Sequence, residues 1–136
     1  MTQAILTAEK LNAGYGELVI QHDLNFSVNE GEVFVIMGGS GCGKSTLLRH
    51  LIGLQAPLAG RMLVRGQDFW AQTDDERARI QQHFGVLYQN GALWGNMTLE
   101  KNICLPLEAW RPNLTLAERR ELASIKLSLV GLSGCE

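Results

Sequence analysis

Gly38-Gly39-Ser40-Gly41-Cys42-Gly43-Lys44-Ser45-Thr46 packs four glycines, a lysine amine and three hydroxyls into one short stretch. Residues of these types in this order can hold an anion. Glycines let the backbone curl until successive N–H groups converge on one point. The spacing fits G-x-x-x-x-G-K-[ST], where that cradle takes a nucleotide's phosphates, the lysine adds charge and the hydroxyl reaches Mg²⁺. A plain flexible turn would have no use for Lys44 and Ser45 directly after Gly43.

Such a loop works only when an element holds each end. Ahead of it, Val33-Phe34-Val35-Ile36-Met37 is an apolar, β-branched run that reads as a strand. After it, Leu47, Leu48, Leu51, Ile52 and Leu54 recur at helical spacing and predict a helix over 44–54, stopping near Gly53. That helix N-terminus would add partial positive charge behind the loop.

The flanking elements follow from the same rules. Residues 4–11 and 18–28 alternate and read as strands, with Asn12-Ala13-Gly14-Tyr15-Gly16 as the turn between them. A second turn, Asn29-Glu30-Gly31, feeds the strand before the loop, and 61–65 reads as a further strand. Thr73 followed three residues later by Glu76 is a capping box, opening a helix to about residue 82. Phe84-Gly85-Val86-Leu87-Tyr88 reads as a strand ending at Gln89. Residues 98–108 and 115–130 look helical, the second opened by another box, Thr115 with Glu118. Leu122, Ile125, Leu129 and Leu132 are expected to share its buried face, and Gly131 to end it.

The order is therefore an antiparallel β region and an α/β phosphate-binding core through residue 89, then a helical region over 90–136. With 136 residues, 46% hydrophobic and 19% charged, the chain reads as globular, with room for one domain and its own core. A net charge of −2 without a basic stripe argues against a nucleic-acid partner. Cys42, Cys104 and Cys135 lack C-x-x-C spacing, which suits a reducing compartment and points to neither zinc nor disulfides. Cys42 stands at a helix N-terminus, where a thiol ionises more readily; a small spacer is the alternative. No signal peptide is visible, and no apolar run approaches the ~20 residues that span a bilayer. The expectation is a soluble protein that meets a membrane only through a partner.

Four placements make the chain resemble the ATP-binding subunits of ABC transporters: Tyr15 in Gly14-Tyr15-Gly16, the loop at 38–46, Gly60 opening a strand, and Gln89 ending one. The resemblance covers the whole chain. It implies an α/β fold of the P-loop NTPase (RecA-like) type, with an antiparallel β subdomain and the start of a helical subdomain, and ATP with Mg²⁺ as cofactors. It implies that Tyr15 stacks on adenine, an aromatic platform worth about 1 kcal/mol; a hairpin tyrosine with no ligand is the alternative. Gly38, Gly39, Ser40, Gly41, Cys42, Gly43, Lys44, Ser45 and Thr46 would enclose the phosphates, with backbone N–H groups from Gly41 to Thr46 as the cradle. Lys44 would stabilise the β- and γ-phosphates, and Ser45 would supply its hydroxyl to Mg²⁺. Gln89 would sense Mg²⁺ and the attacking water, because a neutral amide can accept from water without taking up a proton. A surface amide at a strand end is the alternative there.

The segment after Gln89 narrows the likeness. Leu87-Tyr88-Gln89-Asn90-Gly91-Ala92-Leu93-Trp94, then Met97-Thr98, Asn102-Ile103 and Leu105-Pro106-Leu107, is similar to the ATPases of MCE-type phospholipid-trafficking systems, the Mla and toluene-tolerance transporters. This implies a transmembrane permease partner docked on the region after Gln89, a homodimer of intact subunits, and a place on the cytoplasmic face of the inner membrane. Leu93, Trp94 and Met97 are either core of the helical region or part of a groove for a permease helix.

Other family parts are missing from these residues. No apolar run followed by Asp-Glu occurs, so there is no Walker B aspartate or adjacent catalytic glutamate. His22, His50 and His83 do not match a switch histidine and read as ordinary surface or core residues. Leu132-Ser133-Gly134-Cys135-Glu136 only superficially resembles the LSGGQ signature, since Cys135 stands where a second glycine belongs. The chain is thus expected to be the N-terminal part of a nucleotide-binding domain. It would bind ATP without hydrolysing it alone, and would expose an apolar patch. A small P-loop kinase and an inactive nucleotide-binding fragment are the alternatives.

Overall fold

The alternation along the first thirty residues becomes a hairpin. In the computed structural model, which describes residues 4–136, β1 (Ala4–Tyr15) pairs antiparallel with β2 (Leu18–Asn29). The connection is shorter than the expected 12–16 turn. Only Gly16 and Glu17 form it, while Gly14 and Tyr15 stay in the strand opposite Val19 and Leu18. Positive φ is confined to Gly16 in this stretch, so the chain remains extended up to Tyr15.

β3 (Ala59–Val64) lies on the other side of β1, and β4 (Gln67–Asp68) returns after a tight Arg65-Gly66 turn, giving the order β2-β1-β3-β4. Both turn residues have positive φ, as a two-residue hairpin of this twist demands. α1 (Lys44–Leu51) ends before Gly53, as expected, and α2 (Asp74–Gln81) starts from an intact Thr73–Glu76 capping box. The core gathers Ala8, Leu11 and Ala13 of β1, Leu47 and Leu51 of α1, Met62 and Val64 of β3, and Phe69. Phe69 meets the edge of Trp70, and the Arg77 guanidinium covers that indole at 5.1 Å from the ring centroid.

The two strands expected beside the glycine loop, 33–37 and 84–88, carry no ladder hydrogen bonds. The first nonetheless packs with a period of two. Phe34 stacks on Phe26 at 5.1 Å and Ile36 joins the core, while Val33, Val35 and Met37 are 89%, 64% and 86% exposed. Side-chain alternation is a property of the segment; a ladder requires a neighbouring strand, and none of the described residues supplies one.

The chain divides into two compact units between Gly85 and Val86. In the second, α3 (Leu99–Trp110) and α4 (Leu116–Leu129) pack around Cys104, Ala123 and Leu127. Burial pushes the Cys104 thiol pKa up, with Glu100 and Glu108 adding to it. Thr98 caps α3, and a complete Thr115–Glu118 capping box opens α4. The expected inner face of α4 is corrected. Ala123 and Leu127 face inward, in line with Arg119, whereas Leu129 is 80% exposed. Arg119 pairs with Glu108 at 3.4 Å and Arg120 with Glu100 at 3.2 Å, and the small Ala123 side chain suits close helix approach.

Candidate functional site

α1 begins differently from its three counterparts. Thr73, Thr98 and Thr115 each cap a helix with their side chains, but α1 is entered through Gly43, without a side-chain cap. Gly43 sits at φ 92°, and a Cβ there would come within 2.7 Å of Ile20 Cγ2. Leu47 N–H closes the first α-turn onto Gly43 O at 2.8 Å. The amides of Lys44, Ser45 and Thr46 precede that bond and have no intrahelical acceptor, so the helix start is open to an outside anion.

The loop before α1 is held from two sides. Cys42 N–H donates to Gly39 O at 3.4 Å, and Gln21 Nε2 of β2 donates to Cys42 O at 3.0 Å. Lys44 Nζ folds back to donate to Gly38 O at 2.8 Å and Gly39 O at 2.7 Å, and lies 3.6 Å from Cys42 Sγ. The ammonium has three protons, and these three neighbours use them. Ser45 is exposed beside it, where Lys44, Ser45, Leu48, Phe34 and Ile36 border a shallow hollow of about 250 Å³. A larger hollow of about 440 Å³ between the sheet and α1 is mostly apolar, and among the described residues Glu32 and His83 are its only ionisable lining groups. It lacks the convergent polar groups of a ligand site.

Tyr15 is brought to the same helix. Thr46 Oγ1 donates to Tyr15 Oη at 3.3 Å, and Tyr15 is 41% exposed. The strand just before it is fastened as well. Gly14 N–H donates to His50 Nε2 at 3.1 Å, and Gln55 Nε2 donates to Gly14 O at 2.5 Å. His50 Nδ1 bonds Gln55 O at 3.0 Å; a carbonyl only accepts, so Nδ1 carries the proton and Nε2 is the acceptor. His50 is fully buried.

Tyr15 and residues 38–46 thus share the first unit. Gln89 belongs to the second, in an exposed turn with Asn90. The stretch that follows is pinned by Asn102 of α3. Its amide accepts from Trp94 N–H at 2.7 Å and donates to Trp94 O at 3.1 Å and Thr98 O at 3.0 Å. Leu93 and Trp94 are exposed, which argues against a role as core of the helical unit. His50, Gln55 and Gln21 were not legible as site residues. The one signal for His50 is its spacing, four residues beyond Thr46 on the same face of α1.

Comparison with known proteins bears on the whole arrangement. A family model described as "ABC transporter" matches residues 21–135. The chain is 40% identical over 126 residues to the probable ribonucleotide transport ATP-binding protein mkl of Mycobacterium leprae (strain TN), covering 93% of this chain and 36% of that protein. It is 34% identical over 136 residues to the intermembrane phospholipid transport system ATP-binding protein MlaF of Haemophilus influenzae, covering 98% of this chain and 50% of the relative. Among solved structures, it superposes with TM-score 0.80 and 28% identity on an ATP-binding cassette bound to ADP and Pi in a dimeric post-hydrolysis state, covering 95% of this chain and 58% of that one. The chain spans about a third to a half of these curated relatives' length.

Proposed function

We propose, from the premise that this chain belongs to the ABC transporter family, that it forms the nucleotide-holding part of a transporter's ATP-binding subunit. One observation carries the reading. Among the described helices, α1 alone starts without a side-chain cap, and its start coincides with the glycine loop and with Lys44 turned across the loop carbonyls. Free amides, a helix dipole and the Lys44 ammonium at one point suit the phosphates of ATP.

In this reading the amides of residues 41–46 bind the α- and β-phosphates, and Lys44 exchanges Gly38 O and Gly39 O for β- and γ-phosphate oxygens. The exposed Ser45 hydroxyl fits as an oxygen ligand for Mg²⁺, which would offset phosphate charge when bound. Tyr15 offers adenine its open ring face. Gln89 is assigned to the Mg²⁺ and water by family likeness, in keeping with its exposed turn. Titration calorimetry with ATP and Mg²⁺ on the 136-residue chain tests the binding, with saturable 1:1 heat expected; no heat at millimolar ATP overturns it.

The intact subunit is proposed to hydrolyse ATP as a homodimer and to work a transmembrane permease from the cytoplasmic face of the inner membrane. No described helix is long and apolar enough to cross a membrane, so contact with the bilayer would run through that permease. Exposed Leu93 and Trp94, held by Asn102, are the proposed contact for a permease helix. Phospholipid is the proposed cargo, supported by the segment after Gln89 and by the likeness to an intermembrane phospholipid transport protein. ATP-dependent lipid transfer between vesicles carrying the reconstituted transporter tests it, and transfer independent of ATP counts against it. The chain alone, without an Asp-Glu pair after an apolar run, is proposed to bind ATP with negligible turnover.

A further inference from the structure

We infer that His50 is a positioning residue for the nucleobase: it ties the strand end bearing Tyr15 to the helix that holds the phosphates. The inference rests on the reading of Tyr15 as the adenine platform and goes beyond it, since His50 touches no ligand itself.

The need for a tie arises from the sheet. β1 is flanked by β3 only as far as Asn12, which pairs with Ala59. Beyond that point no strand among the described residues lies beside its outer edge, and yet Gly14 is buried. An unpaired buried backbone N–H or C=O is strongly disfavoured. Here side chains take the place of the ladder. His50 Nε2 receives the Gly14 N–H at 3.1 Å and Gln55 Nε2 donates to Gly14 O at 2.5 Å. His50 Nδ1–H then donates to Gln55 O at 3.0 Å, so one neutral tautomer completes the circuit. Gly14 itself leaves no room for a side chain: a Cβ there would collide with the backbone carbonyl of Leu18.

The circuit has a directional consequence. Tyr15 is the next residue after Gly14, and Thr46, one turn before His50 on α1, donates to Tyr15 Oη at 3.3 Å. Backbone and ring of the aromatic platform are therefore both referred to the helix that begins at the phosphate loop. The base and phosphate subsites are held at a fixed separation by α1 instead of by the hairpin turn, whose Gly16-Glu17 tip is exposed. A bound nucleotide spans both subsites, whereas inorganic tripolyphosphate occupies only one.

That difference supplies the test. ATP and tripolyphosphate affinities are measured by calorimetry on the 136-residue chain and its variants, with thermal melts alongside. Histidine 50 replaced by leucine (H50L) is expected to weaken ATP about three- to tenfold, the scale of a lost hydrogen bond and a misplaced stacking face, and tripolyphosphate less than about twofold. H50Q, whose amide oxygen can again accept from Gly14 N–H, is expected to recover most of the ATP affinity. Equal weakening of both ligands would reduce His50 to a general structural residue, and unchanged ATP affinity would overturn the inference outright. If H50L fails to fold, Q55M decides: it leaves His50 in place, removes the donor to Gly14 O, and must show the same ATP-selective loss. Y15A separates the two levels of the argument. If it leaves the ATP preference over tripolyphosphate intact, the adenine-platform reading falls. If it abolishes that preference and neither H50L nor Q55M affects it, only the role of His50 falls.

Discussion

Replacing Lys44 with alanine removes a charge whose position is well defined. Its ammonium spans Gly38 O and Gly39 O at 2.8 and 2.7 Å, directly over the loop that precedes α1. Both carbonyls belong to exposed residues, so water can replace the amine, and the folded state should lose little. A shift of the melting midpoint below about 2 °C is expected, the scale of an exposed polar contact in a domain of this size. Ligand binding should respond far more. A hydrogen bond to a charged partner contributes about 1.5–3 kcal/mol, which converts to roughly ten- to hundredfold in affinity. Lys44 is assigned to the β- and γ-phosphates, so ATP should weaken by that factor and AMP by less than about twofold. Calorimetric titration with ATP and AMP, on wild type and Lys44→Ala, measures both. Lys44→Arg is expected to recover only part, because a planar fork does not replace a point charge in a tight loop. An AMP loss equal to the ATP loss would refute the assignment, as would ATP binding unchanged by Lys44→Ala.

Three further outcomes are expected. Gly43→Ala forces a side chain into a left-handed position within 2.7 Å of Ile20 Cγ2, so it should lower stability by about 1–3 kcal/mol in urea titrations and weaken ATP. Glu118 has its pKa lowered chiefly by the Thr115 backbone N–H, then by the Thr115 hydroxyl. Its stabilising effect is therefore complete above the ordinary glutamate value near ~4.3 and fades as pH falls through the lower folded value. Acid titration followed by circular dichroism should show that limb, and Glu118→Gln, which keeps the cap but not the charge, should flatten it. Val35→Lys places a charge on the open side of 33–37, where Val35 is 64% exposed, and should reduce binding of a hydrophobic dye without lowering the melting midpoint.

The parts of this protein that were legible in its sequence are those built from neighbours along the chain. The glycine loop, the lysine and hydroxyl after it, and the left-handed entry to α1 lie within nine residues. Both capping boxes reach three residues, and each closed as read, with Glu76 on Thr73 and Glu118 on Thr115. Reading failed where a partner had to be found elsewhere. The 33–37 run has the alternation of a strand, but no described strand pairs with it. α4 carries an apolar row through Leu122, Ile125 and Leu129, yet its inward side follows Arg119, Ala123 and Leu127, with Arg119 paired to Glu108 of α3.

The sequence by itself determined a glycine loop leading into an uncapped helix start, since steric freedom at glycine and the unpaired amides of a first helical turn are local properties. It could not determine what holds the tyrosine near that loop. Tyr15 and Thr46 lie 31 positions apart, Gly14 and His50 36, and Gly14 and Gln55 41. Only the packing of β1 against α1 brings them together, because burying the end of β1 beyond the reach of β3 leaves backbone groups that some distant side chain has to satisfy.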